Sequence, residues 1–315
     1  MTAAAGPQRL LPGDRLPDVR LGLVDGDRVK LHSAFAGAPL WLATPSTDDA
    51  ARALPMPPDT VIALCIVEDG RAEAAAGWRT VFPDPDWRAL FEADVLWQAD
   101  ANLRLQSCRP LPMRGPPTPP VLAPALGPAQ TALIAPVLQI PDVLEPEFCA
   151  ALIRHLQDDC GGGEPSAVRV MHNGRQHLEI DPSIKLRRES PPRDPALEAR
   201  LHERLMRRAL PEIARVYQFQ VGRRDPFKLL AYPADAGYFR AHRDNETSDV
   251  AHRRFALSVN LDAGAYDGGE FRFPEFGPHR FSPATGTALV FSCSLLHEVL
   301  PVARGVRYAM TTFLA

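Results

Sequence analysis

The chain has 315 residues, long enough for two domains with a core each. Its 45% hydrophobic and 23% charged residues are ordinary for a globular protein, and no run of ~18 apolar residues occurs that would cross a membrane. A net charge of -3 offers no basic face for nucleic acid.

The first hundred residues read as a unit of their own. Asp25-Gly26 stands between the alternating stretches Val19–Leu21 and Val29–Leu31, which predicts a hairpin. Two apolar runs follow, Pro39 to Ala43 and Val61 to Val67, with a helix-permissive stretch from Asp48 to Leu54 between them. That order predicts parallel strands joined by a crossover. The text Leu11-Pro12-Gly13-Asp14-Arg15-Leu16-Pro17-Asp18, then Asp25-Gly26 and Phe35-Ala36-Gly37, resembles the entry of peroxiredoxins over roughly residues 8–106. The resemblance implies a thioredoxin-like α/β domain over residues 1–108. The loop after Pro39–Ala43, where such a protein would carry its peroxidatic cysteine, is Thr44-Pro45-Ser46-Thr47-Asp48-Asp49 and has no thiol. Peroxide reduction needs an activated thiolate. Cys65 lies inside an apolar run and Cys108 has no partner in sequence, so this domain is expected to be redox-inactive. The five cysteines are an odd, scattered set without Cys-x-x-Cys, which reads as reduced thiols of a cytoplasmic protein. No secretory leader is expected, because the opening residues lack a basic region followed by an apolar core.

Residues 109–130 are dense in proline (Pro110, Pro112, Pro116, Pro117, Pro119, Pro120, Pro124 and Pro128) and predict an extended linker. Residues 131–315 then form the second domain. A helix is expected over Glu145–Asp158, with Phe148, Leu152 and Leu156 on one face. Another is expected over Asp194–Tyr217, opened by Asp194-Pro195 and kinked or divided by Pro211. From Lys228 on, short apolar runs alternate with Gly, Pro and Asp turns, the pattern of a jelly roll or related sandwich.

That strand-rich stretch carries His242-Arg243-Asp244, then His297, then Arg307. In an extended strand, residues i and i+2 point the same way, so His242 and Asp244 can face one ion while Arg243 points elsewhere. His297 would come from a distant strand folded alongside. Two imidazoles and one carboxylate on one face of an iron leave three adjacent positions open, as in non-haem Fe(II) oxygenases. Arg307 follows His297 across the turn Pro301-Val302-Ala303-Arg304-Gly305, and a short hairpin would return its planar fork near the metal to grip a carboxylate. The other histidines (His32, His155, His172, His177, His202, His252 and His279) fit no such pattern and read as ordinary polar residues. Arg240, Arg243, Arg253 and Arg254 read as a solvated basic rim, with contact to an anionic substrate as the alternative.

The flanking text is Tyr232 and Gly237-Tyr238-Phe239 before the first ligand pair, then Leu257-Ser258-Val259-Asn260-Leu261 and Gly268-Gly269-Glu270-Phe271-Arg272-Phe273. It goes on with Gly286-Thr287-Ala288-Leu289-Val290-Phe291, His297-Glu298-Val299-Leu300-Pro301-Val302 and Gly305-Val306-Arg307. With these motifs the segment 221–315 resembles the catalytic domain of 2-oxoglutarate/Fe(II)-dependent dioxygenases of the prolyl 4-hydroxylase type. The resemblance implies a double-stranded β-helix (jelly roll) with supporting helices, so that the whole chain is an α+β multidomain protein. It implies Fe(II) on His242, Asp244 and His297, the distal carboxylate of 2-oxoglutarate on Arg307, and a supporting part for Tyr232. It also implies O2 as co-reactant and ascorbate as an accessory reductant. The expected reaction is hydroxylation of an unactivated C–H in a peptidyl, amino-acid or small natural-product substrate, with release of succinate and CO2. Two other readings stay open: a non-catalytic 2-oxoglutarate or iron sensor, and a thiol oxidoreductase with a regulatory C-terminal domain. No nucleic-acid or membrane partner is expected, and the N-terminal domain is a place where an oligomer would form.

Overall fold

The structure is a computed structural model. It describes residues 10–12, 14–67, 74–83, 87, 91–101, 103–113, 134–172, 175–234 and 237–315, with the side chains of 169–176 outside the description. The chain divides into two compact units, Met1–Ile134 with Pro274–Pro278, and Ala135–Phe273 with His279–Ala315. Among the described residues no helix is long and apolar enough to cross a membrane.

In the first unit the elements are β1 (Arg20–Leu23), β2 (Arg28–Lys30), α1 (Leu31–Phe35), β3 (Leu40–Ala43) and α2 (Asp48–Arg52), then β4 (Ile62–Ile66), β5 (Arg79–Pro83), β6 (Val95–Ala99) and β7 (Leu105–Pro110). They make one seven-stranded sheet in the order β2-β1-β5-β4-β3-β6-β7. The expected hairpin forms, with Leu21 opposite Val29 and Gly26 at φ 93°, a conformation the turn needs and glycine adopts freely. The strands β3, β4 and β5 run parallel, and β6 and β7 are antiparallel to their neighbours. Both faces of the centre are buried, which is why β3 and β4 read as unbroken apolar runs. Leu40, Leu42, Leu64 and Ile66 face one core, and Trp41, Ala43, Ala63 and Cys65 face the other. Thr47 caps α2 by accepting from the Ala50 N–H. The edge strand β7 takes in Arg109 and Pro110, the first residues of the expected linker, and an edge tolerates the missing N–H of proline. From residue 114 to 130 that linker lies outside the described residues.

The second unit is mostly sheet with few helices. Its elements are β8 (Leu138–Ile140), α3 (Pro146–Arg154), β9 (Glu164–Pro165), β10 (Val168–His172), β11 (Arg175–Glu179), β12 (Lys185–Leu186), β13 (Arg188–Ser190), α4 (Pro195–Arg204) and α5 (Leu210–Tyr217). There follow β14 (Lys228–Tyr232), β15 (Tyr238–His242), β16 (Phe255–Asn260), β17 (Asp267–Gly268), β18 (Phe271–Arg272) and β19 (Arg280–Phe281). The last four strands are β20 (Ala288–Ser292), β21 (His297–Val299), β22 (Val302–Arg304) and β23 (Arg307–Leu314). Seven strands form a sheet in the order β8-β20-β16-β23-β14-β13-β9, and five form another, β12-β15-β21-β18-β19.

Helices cover one face of the larger sheet. Phe148, Leu152, Leu156, Leu201, Leu205 and Ile213 pack on Leu229, Ala231, Leu257, Val259, Val290 and Met310. Because strand side chains alternate, the next residues along the same strands (Leu230, Tyr232, Ala256, Ser258 and Thr311) turn to the opposite face and line a cavity. Both expected helical spans form, but neither is α-helical throughout. Each passes into a π-helical turn, His155–Asp159 after α3 and Leu205–Ala209 after α4. The second has a local cause. Pro211 has no N–H and its ring crowds the preceding turn, and the Leu210 N–H reaches back five residues to the Leu205 carbonyl. Asp194 opens α4 by accepting from the Ala196 N–H at 2.8 Å.

Leu152 is fully buried between helix and sheet, whereas Leu178 is 69% exposed. Leu152→Ala is therefore expected to lower the free energy of unfolding by about 2–5 kcal/mol, and Leu178→Ala to stay within about 0.5 kcal/mol, in denaturant melts at neutral pH.

Candidate active site

The seven- and five-stranded sheets of the second unit supply the walls of this cavity. The larger contributes Leu230, Tyr232, Ser258, Phe291 and Thr311, and the smaller contributes Phe239, Phe271 and Val299. His242, Asp244 and His297 come together at one end. One ligand atom from each lies within 4.8 Å of the others. His242 ends β15 and His297 begins β21, and the two are direct partners across that strand pair. A register shift between Phe239 and His242 lets the two rings stack, with centroids 3.5 Å apart. Asp244 does not extend β15 as its spacing suggests. It sits in the turn beyond the strand, where its N–H bonds the Cys293 carbonyl and its own carbonyl accepts from Arg253 Nη1. Arg253 is fixed in turn by Asp225, at 2.7 Å.

The electrostatics of this trio suit a cation. His242 Nδ1 lies 2.7 Å from the Arg240 carbonyl and His297 Nδ1 lies 3.0 Å from the Leu295 carbonyl. A carbonyl only accepts, so each Nδ1 carries the hydrogen and each Nε2 presents a lone pair. Those Nε2 atoms stand 3.4 and 3.3 Å from the two oxygens of Asp244. Burial pushes the His297 imidazole down to about 4, against the pull of Asp244, and so holds the ring in its neutral, ligating form. Two lone pairs and a carboxylate aimed at one point repel one another unless a positive ion lies between them. The donor set of two imidazoles and one carboxylate fits Fe(II).

Arg307 and Tyr232 are direct partners across β14 and β23. Arg307 is 2% exposed, its guanidinium lies 5.1 Å from both the Tyr232 and Phe271 ring centroids, and its Nη1 is buried without a hydrogen-bond partner. The expected short hairpin does not return it. The chain leaves β21 in the smaller sheet, passes through β22, turns at Gly305 with φ 72°, and enters the larger sheet as β23. The basic rim is largely occupied by the protein itself. Arg240 Nε donates to the Ser183 carbonyl, Arg243 Nη1 donates to the Ser294 carbonyl, and Arg253 pairs with Asp225.

Two residues at the site have roles that the sequence reading did not assign. Gly269 has φ 68°, and a Cβ there would lie 2.8 Å from Arg307 Cδ, so only glycine leaves room for that side chain. Arg187 lines the cavity and donates from Nη1 to the Tyr232 hydroxyl at 2.9 Å. It is tied behind to Glu189 and Ser166. His155 shows what the ordinary reading looks like. Its Nδ1–H bonds Asp159 at 2.7 Å and its Nε2 accepts from the Arg193 N–H, with Cys160 Sγ at 3.6 Å, and His155 and Cys160 are both buried at the end of a helix. An imidazole already engaged at both nitrogens has no lone pair left to activate that thiol.

Residues 227–315 match the family model described as the 2OG-Fe(II) oxygenase superfamily. The C-terminal region therefore carries a 2OG-Fe(II) oxygenase domain, a kind that uses Fe(II), 2-oxoglutarate and O2. A PKHD-type hydroxylase of Verminephrobacter eiseniae (strain EF01-2) is 28% identical over 92 residues, 27% of this chain and 40% of that protein. The chain thus spans two fifths of that relative's length. Among solved structures, a Pseudomonas putida prolyl-4-hydroxylase aligns with TM-score 0.40 and 20% identity over 56% of this chain and 91% of that one. A Trichoplax adhaerens prolyl hydroxylase in complex with a hypoxia inducible factor peptide fragment aligns with TM-score 0.41 and 16% identity over 56% and 82%.

Gly269→Ala is expected to displace Arg307 and weaken 2-oxoglutarate binding roughly tenfold or more, the scale of one charged hydrogen bond, with metal affinity unchanged. Equilibrium titrations of each ligand check it. Glu189 gives a pH prediction. Burial raises its carboxyl, but Arg187 and Lys228 overcome this and hold it down to about 2. A folded value below the unfolded one means stability that is present above about pH 4.5 and is lost as pH falls toward 2. Glu189→Gln is expected to cost ~2–3 kcal/mol at pH 7 and to flatten that acid limb in denaturant melts run from pH 7 to pH 2.

Proposed function

We propose that this chain is an Fe(II)- and 2-oxoglutarate-dependent dioxygenase that hydroxylates an unactivated C–H bond. His242, Asp244 and His297 are the metal ligands in this reading, Arg307 receives the distal carboxylate of 2-oxoglutarate, and Tyr232 assists it. Bound Fe(II), with 2-oxoglutarate and O2, supplies the oxidation and leaves succinate and CO2. The observation that carries the reading is Arg307. A buried guanidinium with Nη1 unpartnered costs free energy unless an anion meets it, and this one packs against Tyr232 and Phe271, two residues that line the cavity of the His–Asp–His trio. The protein's own contribution is to fix the ligand tautomers through the Arg240 and Leu295 carbonyls, to orient the cosubstrate through Arg307, and to keep water out with Phe239, Phe271 and Phe291. Two facing antiparallel sheets with helices behind one of them support a double-stranded β-helix for this unit.

The substrate class is peptidyl, amino-acid or small natural product, with ascorbate as accessory reductant. For the N-terminal unit we infer a thioredoxin-like domain without redox chemistry. The sheet order β5-β4-β3-β6-β7, parallel at β3 to β5 and antiparallel beyond, supports the fold. The Thr44–Asp49 segment has no thiol, and burial pushes the Cys65 thiol up to about 12, far from a reactive thiolate. All five cysteines are free, as a reducing cytoplasm would leave them. A role in substrate recognition or dimer contact remains for this domain.

The test is release of succinate from 2-oxoglutarate under Fe(II) and O2, with and without candidate substrates. His297→Ala is expected to abolish it. Arg307→Ala is expected to raise the 2-oxoglutarate requirement by roughly ten- to a hundredfold with metal binding intact, and Arg307→Lys to recover part of the loss. A Cys65→Ala, Cys108→Ala double variant should keep full activity. Tight 2-oxoglutarate binding with no succinate from any substrate would instead leave a sensor.

A further inference from the structure

Arg187, Tyr232 and Arg307 stand side by side across three adjacent strands. Arg307 is the register partner of Tyr232. Arg188 pairs with Ala231, so continuing that antiparallel register by one residue sets Arg187 opposite Tyr232 on its other side. The Arg187 guanidinium is a fixed strut. Its Nε donates to Ser166 Oγ at 3.3 Å, its Nη2 to Glu189 at 3.1 Å, and its Nη1 to the Tyr232 hydroxyl at 2.9 Å. It lies over the Phe239 and Tyr232 rings at 5.1 and 5.7 Å and is 12% exposed. Glu189 is in turn held by Lys228 at 2.5 Å and by the Ser166 hydroxyl. Such a charge is held by its partners, because removing one of them would strand the other.

A guanidinium has donors and no acceptor. The Tyr232 oxygen must therefore accept from Arg187, and its own hydrogen has to go elsewhere. No acceptor meets that hydroxyl among the described residues, and Tyr232 is 2% exposed, on the wall of the cavity beside Arg307. We infer that Arg187 is a positioning residue for the cosubstrate: it makes the Tyr232 hydroxyl an obligate donor into the cavity, so that Tyr232 and Arg307 together receive one carboxylate. This rests on the reading of Arg307 as the 2-oxoglutarate clamp and adds a residue that acts on the ligand through Tyr232.

The experiment is calorimetric titration of 2-oxoglutarate into the full chain loaded with Mn(II), for wild type, Arg187→Met, Tyr232→Phe and the double variant. Each single change is expected to weaken binding by roughly tenfold, and the double variant to be little worse than either, since both remove the same hydrogen bond. Arg187→Lys, which keeps a donor, should recover part of the affinity, and it carries the test if Arg187→Met fails to fold. Mn(II) affinity should stay at the wild-type value in all of them. Wild-type binding that Arg187→Met and Arg187→Lys leave intact, or losses that multiply in the double variant, would overturn this inference alone. Wild-type protein that takes Mn(II) but no 2-oxoglutarate would overturn the clamp reading of Arg307, and this inference with it.

Discussion

A buried guanidinium with an unpaired nitrogen is the constraint around which the second unit is arranged. Arg307 sits at the start of β23, between the rings of Tyr232 and Phe271, with Nη1 lacking any partner. Left alone, a buried unpaired donor costs on the order of 1–3 kcal/mol, and more when charged. Folding meets that cost with the rest of the second unit, and an anion at that nitrogen would relieve it. The same holds for the trio beyond Phe271, where two imidazole lone pairs and a carboxylate converge. An unpartnered guanidinium nitrogen between the Tyr232 and Phe271 rings, and a carboxylate with two imidazole lone pairs on the cavity wall that those rings share, lie in one region of the second unit. A molecule with a carboxylate at one end and metal-binding oxygens at the other would satisfy both.

The sheet makes this affordable through alternation. Leu229, Ala231, Leu257, Val259 and Met310 give the helices their apolar face, while the residues between them build a polar wall on the other side. A slip of one residue in any of these strands would send the functional side chains into the helical core. The close registers of β14, β23 and β16 are thus what hold Tyr232, Arg307, Ser258 and Thr311 in one wall.

Much of this was legible in the sequence. Asp194-Pro195 announces its helix through capping chemistry that needs no tertiary contact, and the spacing of Phe148, Leu152 and Leu156 announces α3. His242, Asp244, His297 and Arg307 could be singled out by their order and the strand punctuation around them, Tyr232 only by the family resemblance, and the structure brings these five into one region of the second unit. What was not legible depends on partners distant in sequence. The π-helical turns after α3 and α4 leave the apolar spacing almost unchanged, so periodicity reads straight through them. Asp244 reaches the site from a turn rather than along β15, and Arg307 by crossing between sheets rather than by a hairpin; both alternatives give the same linear spacing. Arg187 acquires its place only when β13 pairs with β14, far along the chain, and no local pattern distinguishes it from its neighbour Arg188. Gly269 is visible as a turn residue, but the reason it must be glycine is the Arg307 side chain.

The central claim is that one cavity holds a metal at one end and a carboxylate at the other. The most direct measurement is a crystal structure of the full chain grown without oxygen in the presence of Mn(II) and 2-oxoglutarate. The account predicts a single cation bonded to His242 Nε2, His297 Nε2 and Asp244, with 2-oxoglutarate bridging from it to Arg307 Nη1. A cation bound elsewhere, or a cosubstrate carboxylate that leaves Arg307 unpaired, would contradict it.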